Sequence, residues 1–96
     1  MADRTPRAAA DRFGENLRRV RRRECLSQEQ LAARASLHRT EIGLLEHGER
    51  TCRIDTLIQL AGAMAVRPGE LLDGIDWVPE PGPRGTFSIR SRRFSR

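Results

Sequence analysis

Apolar residues recur at intervals of three or four along most of the chain before Gly74, which is the period of an amphipathic helix. The first stripe contains Phe13, Leu17 and Val20. This helix has two possible starts. One uses Thr5 as N-cap with a proline in the first turn, and the other begins later, at Asp11. The pattern therefore predicts a first helix that buries one face.

The stretch from Ser27 to Gly48 contains two short helical segments joined by a tight turn. Ser27 and Gln30 have the spacing at which two side chains satisfy the free N–H groups of a helix start reciprocally. Gly48 supplies the left-handed residue that ends many helices. The second segment, residues 39–46, buries a narrow apolar face and leaves its N-terminal residues polar. This arrangement is typical of a helix-turn-helix unit.

The helical period returns after a short loop. Apolar spacing predicts a fourth helix from Ile54 to Val66, followed by a short fifth helix that Pro68 starts and Gly74 ends. A core position is expected for Leu60, Leu71 and Leu72. The predicted core-facing stripe of the fourth helix comprises Ile54, Leu57, Ile58, Ala61 and Met64.

The character of the chain changes after Asp76. Trp77 and Val78 are expected to pack on the helices, and the following prolines and glycines predict an extended linker. Residues 86–90 alternate like a strand, but a lone strand of that length is not stable. We therefore expect a disordered or subunit-exchanged arm and no sheet within one chain. The predicted divisions are an N-terminal segment (1–10, one alternative being that it extends the first helix), a helix-turn-helix domain (11–76) and a linker with an Arg-rich arm (77–96).

Five short motifs stand in order between Phe13 and Leu72. They are F-G-x-x-L-R at 13–18, L-S-Q-E-Q-L-A at 26–32, E-x-G at 46–48, D-T-L-I-x-L-A at 55–61 and P-G-E-L-L at 68–72. Their order and spacing resemble the phage-repressor, or XRE-type, helix-turn-helix family. The resemblance implies an all-α, five-helix, lambda-repressor-like DNA-binding domain, which here is followed by an extended C-terminal arm. It also implies a dimer surface near the last two helices, which makes Leu60, Leu71 and Leu72 interface candidates as well as core candidates.

The same resemblance implies roles for individual residues in binding double-stranded DNA. Arg39 would bind guanine through two hydrogen bonds, and Thr40 would bond a base or offer its methyl group to thymine. The alternatives are a solvated helix face for these two residues and inward packing for Leu44. The predicted base-contacting set is His38, Arg39, Thr40, Gly43 and Leu44.

Phosphate contacts are predicted for Gln28, at the start of the second helix, and for Arg50 and Arg53 in the loop after the third. The alternative for the two arginines is an ordinary solvated loop. The resemblance also implies a partly buried ion pair between Arg21 and Glu46 with a structural role.

Three positions depart from the family pattern. Cys25 and Ser36 stand where the family usually has glycine, so each is expected to carry some backbone strain if it keeps a left-handed conformation. His38 replaces the usual Ser or Thr cap of the third helix. That helix is therefore expected to be held less firmly at its start.

The net charge of +5 is unevenly distributed. Residues 1–23 carry eight Arg and three acids, residues 24–83 carry five Arg and ten acids, and residues 84–96 carry five Arg and no acid. Blocks of like charge at chain ends are often arms that contact nucleic acid. A solvated tail is the alternative for the last block.

Other site classes find little support in the sequence. Cys25, Cys52, His38 and His47 do not have a zinc spacing, so no metal or cofactor is expected. No catalytic set appears, so an enzyme is not expected. Because the sequence has no signal-peptide core and no apolar run near the ~20 residues of a membrane span, a soluble cytoplasmic protein is expected.

The leading hypothesis is a sequence-specific DNA-binding transcriptional regulator, a repressor acting as a homodimer on two half-sites. The alternative is an antitoxin that binds a toxin partner through the C-terminal arm and autoregulates its operon. A third hypothesis is a protein-interaction module that no longer contacts DNA, which the acidic central segment and Leu44 favour.

Overall fold

The computed structural model describes residues 7–82 and 84–91. Helices α1 to α4 are followed by a single turn, α5, and by an antiparallel hairpin in which Ile75 lies opposite Ile89 and Trp77 opposite Phe87. The chain is mostly helical, as predicted, but the all-α prediction is wrong because the hairpin forms a two-stranded sheet. The elements are α1 Arg7–Arg23, α2 Gln28–Ala35, α3 Arg39–Glu46, α4 Ile54–Met64, α5 Pro68–Leu71, β1 Ile75–Pro79 and β2 Gly85–Ile89.

The core lies where α1 to α5 meet. Each aliphatic side chain buried there contributes about 1.5–3 kcal/mol, so a small number of leucines and isoleucines can hold a domain that has few aromatic residues. The predicted α1 stripe and the inward face of α3 are both buried. The largest fully buried apolar side chains are Leu17, Val20, Leu31, Ile42, Leu45, Leu60 and Leu71.

Helix α1 begins at Arg7 and so includes residues ahead of the later alternative at Asp11. The proposed cap Thr5 lies outside the described residues. Gly14 lets α1 approach α3 closely, because a Cβ placed there would lie 2.5 Å from the carbonyl oxygens of Leu45 and Glu46. The glycine of the F-G-x-x-L-R motif is therefore a contact point between two helices.

The helix ends follow the sequence closely. The Ser27 hydroxyl accepts a hydrogen bond from the Gln30 N–H at 3.0 Å, and the Gln30 side-chain oxygen accepts one from the Ser27 N–H at 2.8 Å. This capping box was predicted. Cys25 and Ser36 have φ values of 60° and 59°, and Gly48 has 71°, so the expected left-handed residues are present.

Two predictions about α4 are wrong. Ile54 and Ile58 are 76% and 58% exposed and do not belong to the core-facing stripe. The helix also ends at Met64, two residues before the predicted Val66, because Ala65 adopts a left-handed conformation with φ 57°. Apolar residues occur on more than one side of this helix, and its packing against α2 and α5 selects the buried face.

The prediction that residues 86–90 are disordered or exchanged between subunits is also wrong, whereas residues 92–96 of the predicted arm lie outside the described residues. Residues 75–79 supply the partner strand for residues 85–89 within the same chain. Trp77 is 56% exposed and does not pack on the helices. It contacts Phe87 edge to face, with ring centroids 5.1 Å apart, and lies over Gly85. Leu72, expected in the core, is 43% exposed.

A buried polar network that the sequence pattern did not predict anchors the hairpin to α1. The Asn16 amide donates to the carbonyl oxygens of Leu71 at 3.0 Å and Asp73 at 2.9 Å. Arg12 donates from Nε to the Asn16 side-chain oxygen at 3.2 Å and from Nη1 to the Arg90 carbonyl at 2.7 Å. Two polar side chains of α1 therefore hold both the end of α5 and the end of β2.

Candidate nucleic-acid interface

The start of α3 projects from the domain because its apolar residues lie on one side only. Ile42 and Leu45 are buried, whereas His38, Arg39 and Thr40 are exposed. His38 has extended backbone angles, φ −80° and ψ 143°, and its side chain makes no capping hydrogen bond. The first-turn N–H groups of α3 therefore lack the side-chain acceptor that a Ser or Thr cap would supply.

Arg39 is held by an acidic residue of the neighbouring helix. Its Nε lies 2.7 Å from a carboxylate oxygen of Glu29, and both side chains are more than half exposed. The pKa of Glu29 is lowered, first by the hydrogen bond from its own backbone N–H and then by the Arg39 guanidinium. In the free protein this exposed pair spans the first turns of α2 and α3, and water competes with it readily.

Gly43 and Leu44 continue the same face of α3, and both are half-buried. A Cβ placed on Gly43 would have no atom within 4 Å, so the surface above this residue is open. A ligand can therefore approach the α3 backbone closely at this point. Part of the Leu44 side chain remains available for apolar contact.

Gln28 lies at the start of α2, but its side chain is engaged within the protein. Its amide nitrogen donates to Glu46 Oε1 at 3.0 Å. Glu46 also accepts from Arg21, with Nε 2.5 Å from Oε2 and Nη2 3.0 Å from Oε1. Arg21 completes the network by donating to the Leu26 carbonyl at 2.9 Å. The Arg21–Glu46 pair is present and buried, and hydrogen bonding to Glu46 raises the pKa of Arg21.

The loop after α3 presents two exposed arginines. Arg53 pairs with Asp55 at 3.2 Å, and both side chains are largely exposed. Arg50 forms no ion pair with any described residue. On binding an anion, Arg50 loses only its contacts with water, whereas Arg53 also loses its ion pair with Asp55.

Cys52, between these arginines, is a free thiol packed partly against the core. Burial, followed by the nearby carboxylates of Glu41 and Asp55, raises the pKa of the Cys52 thiol to about 11. Within residues 7–82 and 84–91, no group of His, Cys, Asp and Glu side chains is arranged to hold a metal ion.

The first two residues of α2 contact opposite ends of α3: Glu29 pairs with Arg39 at its start, and the Gln28 amide donates to Glu46 at its end. Arg50 lies beyond the C-terminal end of α3, about 12 Å along an eight-residue helix. The sequence pattern did not identify Glu29 as the partner of Arg39. The available signal was an acidic residue in the first turn of a helix, which usually indicates only a favourable dipole interaction.

Residues 12–74 match the family model described as a helix-turn-helix domain. Over 60 residues the chain is 48% identical to control protein C.SmaI of Serratia marcescens. The aligned region covers 62% of this chain and 71% of that protein. The chain is 39% identical over 62 residues to control protein C.BamHI of Bacillus amyloliquefaciens, covering 64% and 76% of the two chains.

Solved structures agree with this match. The restriction-modification controller protein C.AhdI from Aeromonas hydrophila superposes with a TM-score of 0.65 at 38% identity, covering 67% of this chain and 97% of that chain. The P22 c2 repressor protein, solved in complex with a synthetic operator, has a TM-score of 0.60 at 26% identity, with coverages of 65% and 94%. The hairpin lies beyond the family-model match. Among the described helices, none is long and apolar enough to cross a membrane.

Proposed function

The chain belongs to the helix-turn-helix family of DNA-binding transcriptional regulators, and we propose that it represses transcription by binding a palindromic operator as a homodimer. We further propose that its five helices act as a lambda-repressor-like unit in the cytoplasm. The observation that carries the proposal is the exposed, polar N-terminal face of α3, supported from behind by Ile42 and Leu45. The names of the controller-protein relatives support a role in regulating genes of a restriction-modification system.

The residues proposed to recognise bases lie on the exposed face of α3. Arg39 leaves Glu29 and binds guanine O6 and N7, an exchange that costs little because the existing pair is exposed. Gly43 permits close approach of the duplex to the helix. The proposed base-contacting residues are His38, Arg39, Thr40, Gly43 and Leu44.

The proposed phosphate contacts come from the start of α2 and from the loop after α3. Gln28 acts at the start of α2, where its amide is oriented by Glu46 and the helix N-terminus favours an anion. Arg50 and Arg53 act from the loop that follows α3. These contacts set the position of the protein on the duplex and make the affinity sensitive to salt.

Dimerisation is supported by apolar side chains that the fold leaves exposed. Ile54 and Ile58 stand on one side of α4, and Leu72 follows α5. Two reading helices in a dimer of this type lie about 34 Å apart, which is one turn of B-DNA. The operator would therefore contain two inverted half-sites at that spacing.

The test is selection from a pool of random duplex DNA, repeated with Arg39→Ala and with the control Arg34→Ala. Arg34 is exposed on α2 and forms no ion pair with a described residue. The proposal predicts a palindromic motif for the wild type and the control. It also predicts loss of one preferred base in each half-site with Arg39→Ala. Recovery of no motif from the wild type, with salt-sensitive binding alone, would contradict the proposal.

An antitoxin is a second candidate function, favoured by one observation. The hairpin presents Trp77 and Phe87 side by side, 56% and 38% exposed, on a surface suited to contact another protein. This function predicts that Trp77→Ser and Phe87→Ser leave operator binding intact and abolish neutralisation of a toxin encoded beside this gene. Absence of a neighbouring toxin frame would remove this candidate.

A further inference from the structure

The buried Glu46 carboxylate is surrounded by more positive charge than it neutralises. Its Oε1 accepts hydrogen bonds from Arg21 Nη2 and from the Gln28 amide, each at 3.0 Å, and its Oε2 accepts one from Arg21 Nε. A second guanidinium lies close to the same carboxylate, because Arg18 Nε is 3.8 Å from Oε1. Two arginines therefore face one carboxylate, which leaves one positive charge in excess where α1, α2 and α3 meet.

Arg18 carries the excess charge. Its distance from Glu46 is longer than a hydrogen bond, and it makes no hydrogen bond to any residue that the structure describes. The Arg18 side chain is 41% exposed, whereas the Arg21 side chain is 10% exposed. The N–H donors of both terminal nitrogens of Arg18 are therefore available to a ligand.

Arg18 lies beside the residue that is proposed to bind phosphate at the start of α2. Arg18 Nε and Gln28 Nε2 lie 3.8 and 3.0 Å from the same oxygen of Glu46, so these two nitrogens are at most 6.8 Å apart. Hydrogen bonds of about 2.9 Å to the oxygens of one phosphate group span such a separation. A single phosphate can therefore contact both side chains.

The surface at Arg18 is open. Arg18 lines a groove of about 600 Å³ between α1 and the end of α3. The acids on the α1 side of this groove, Asp11 and Glu15, precede Arg18, whereas Arg22 follows it by one helical turn. The positively charged end of the groove is therefore the end nearer the turn into α2, where an anion is favoured.

We propose that Arg18 is a further phosphate-binding residue, which holds one phosphate of the operator together with Gln28. The inference rests on the proposed function, because that function places the start of α2 against the duplex. Glu46 has a second part in this arrangement, since its carboxylate attracts both donors to one place. The contact adds affinity and fixes the position of α1 on the DNA, but it adds no sequence preference because phosphates are the same at every position.

The first test measures operator affinity as a function of salt concentration for the full chain and three variants. Arg18→Gln removes the charge, and Arg18→Lys keeps the charge but not the forked donors. The control is Arg34→Gln, because Arg34 is exposed, forms no ion pair with a described residue and lies about 9 Å along α2 from Gln28. Circular dichroism verifies that each variant is folded.

The contact predicts that Arg18→Gln makes the slope of log affinity against log salt shallower by about 0.9 per protomer, or about 1.8 for a dimer on two half-sites. Arg18→Lys should keep the wild-type slope, because an ammonium group still neutralises a phosphate. It should bind more weakly than the wild type, because it cannot form two parallel hydrogen bonds. The control should keep both slope and affinity, and every variant should select the same motif.

The second test locates the phosphate. Methylphosphonate, a neutral replacement for one phosphate, is placed at each position of the operator in turn. The wild type should lose affinity at the position that Arg18 contacts in each half-site. Arg18→Gln should lose much less at that position and as much as the wild type elsewhere. Gln28→Ala should reduce the loss at the same position, because the two side chains share one phosphate.

A wild-type slope for Arg18→Gln on a bound operator would overturn the contact, and the proposed function would stand. An equal change of slope in Arg34→Gln would also overturn it, because the effect would then be one of total charge. Unfolding of Arg18→Gln would show that Glu46 requires Arg18, which contradicts the excess charge. Failure of the wild type to select any operator would instead remove the proposed function.

Discussion

Arg21 and Glu46 join α1 to the end of α3 through two hydrogen bonds, Nε to Oε2 at 2.5 Å and Nη2 to Oε1 at 3.0 Å. Glu46 also receives the Gln28 amide, so one buried carboxylate connects α1, α2 and α3. The orientation of α3 therefore depends on Glu46, whose side chain is only 1% exposed.

Removing one partner of this pair should destabilise the fold strongly. Arg21→Met removes both guanidinium hydrogen bonds to the buried Glu46 and leaves it only the partly exposed Arg18, whose Nε lies 3.8 Å from Oε1. Glu46→Leu leaves the buried Arg21 without its hydrogen-bonded anion. Each change should lower the free energy of unfolding by about 3–5 kcal/mol. The double variant should recover much of the loss, because no buried charge is then unpaired. Urea denaturation measures all three, and additive losses in the double variant would show that the two residues act independently.

Gly14→Ala should destabilise the protein although alanine favours helices. The added Cβ would lie 2.5 Å from two carbonyl oxygens of α3, and overpacking of this kind costs about 1–3 kcal/mol. The matched control is Gly62→Ala, an exposed position of α4 with no atom within 4 Å of the new Cβ. The control should be stabilised by roughly 1 kcal/mol. Thermal denaturation distinguishes the two, and a gain at both positions would show that α1 and α3 can separate without cost.

Ser36→Gly should stabilise the fold slightly. Ser36 has a φ of 59°, where a side chain costs about 1 kcal/mol that glycine avoids, less the greater flexibility of glycine in the unfolded chain. Ala33→Gly, on the exposed side of α2, should instead lower the free energy of unfolding by roughly 1 kcal/mol. A lower melting temperature for Ser36→Gly than for the wild type would contradict the expectation.

Alkylation should modify the two cysteines at different rates. Cys25 is exposed, whereas burial raises the pKa of the Cys52 thiol to about 11. At pH 8 roughly 0.1% of Cys52 is thiolate, so iodoacetamide should modify Cys25 first. The rate at Cys52 should rise about tenfold per pH unit towards pH 11, as followed by mass spectrometry. Modification of both thiols at the same rate at pH 8 would show that Cys52 is not protected.

The same shift has a consequence for stability. The folded Cys52 thiol keeps its proton to a higher pH than the ordinary value of 9.0. The free energy of unfolding should therefore be unaffected by this group below pH 9 and should decrease as the pH rises from 9 to about 11. Cys52→Ala should lose this part of the pH dependence, which thermal melts across that range measure.

Ile58→Glu should dissociate the proposed dimer without unfolding the domain. Ile58 is 58% exposed, so a glutamate at this position should be solvated and should not prevent folding. Sedimentation equilibrium should give twice the chain mass for the wild type and for the control Ala33→Glu, and a single chain mass for Ile58→Glu. A dimeric Ile58→Glu protein would place the interface on another surface.

The sequence by itself determined the elements whose causes are local. The capping box at Ser27 and Gln30 and the α1 stripe through Phe13, Leu17 and Val20 depend on residues within one or two helical turns. Such features can be predicted from the sequence because the interacting groups are close in sequence. The expectation of a left-handed Ser36 came from the family resemblance. The site residues proposed for DNA contact came from the resemblance and remain predictions.

Tertiary structure alone decided which apolar face of α4 is buried, because Ile54 and Ile58 have the same periodicity as core residues and differ only in what packs against them. The tertiary structure also determines that the hairpin forms within one chain. Three of the five β1 residues, 77–79, fall in the segment predicted to be a linker, and the position of the hairpin depends on the Arg12–Arg90 bond across 78 residues of sequence. The spacing of apolar residues along a helix shows which faces can be buried. Only the elements that pack against the helix determine which of those faces is buried.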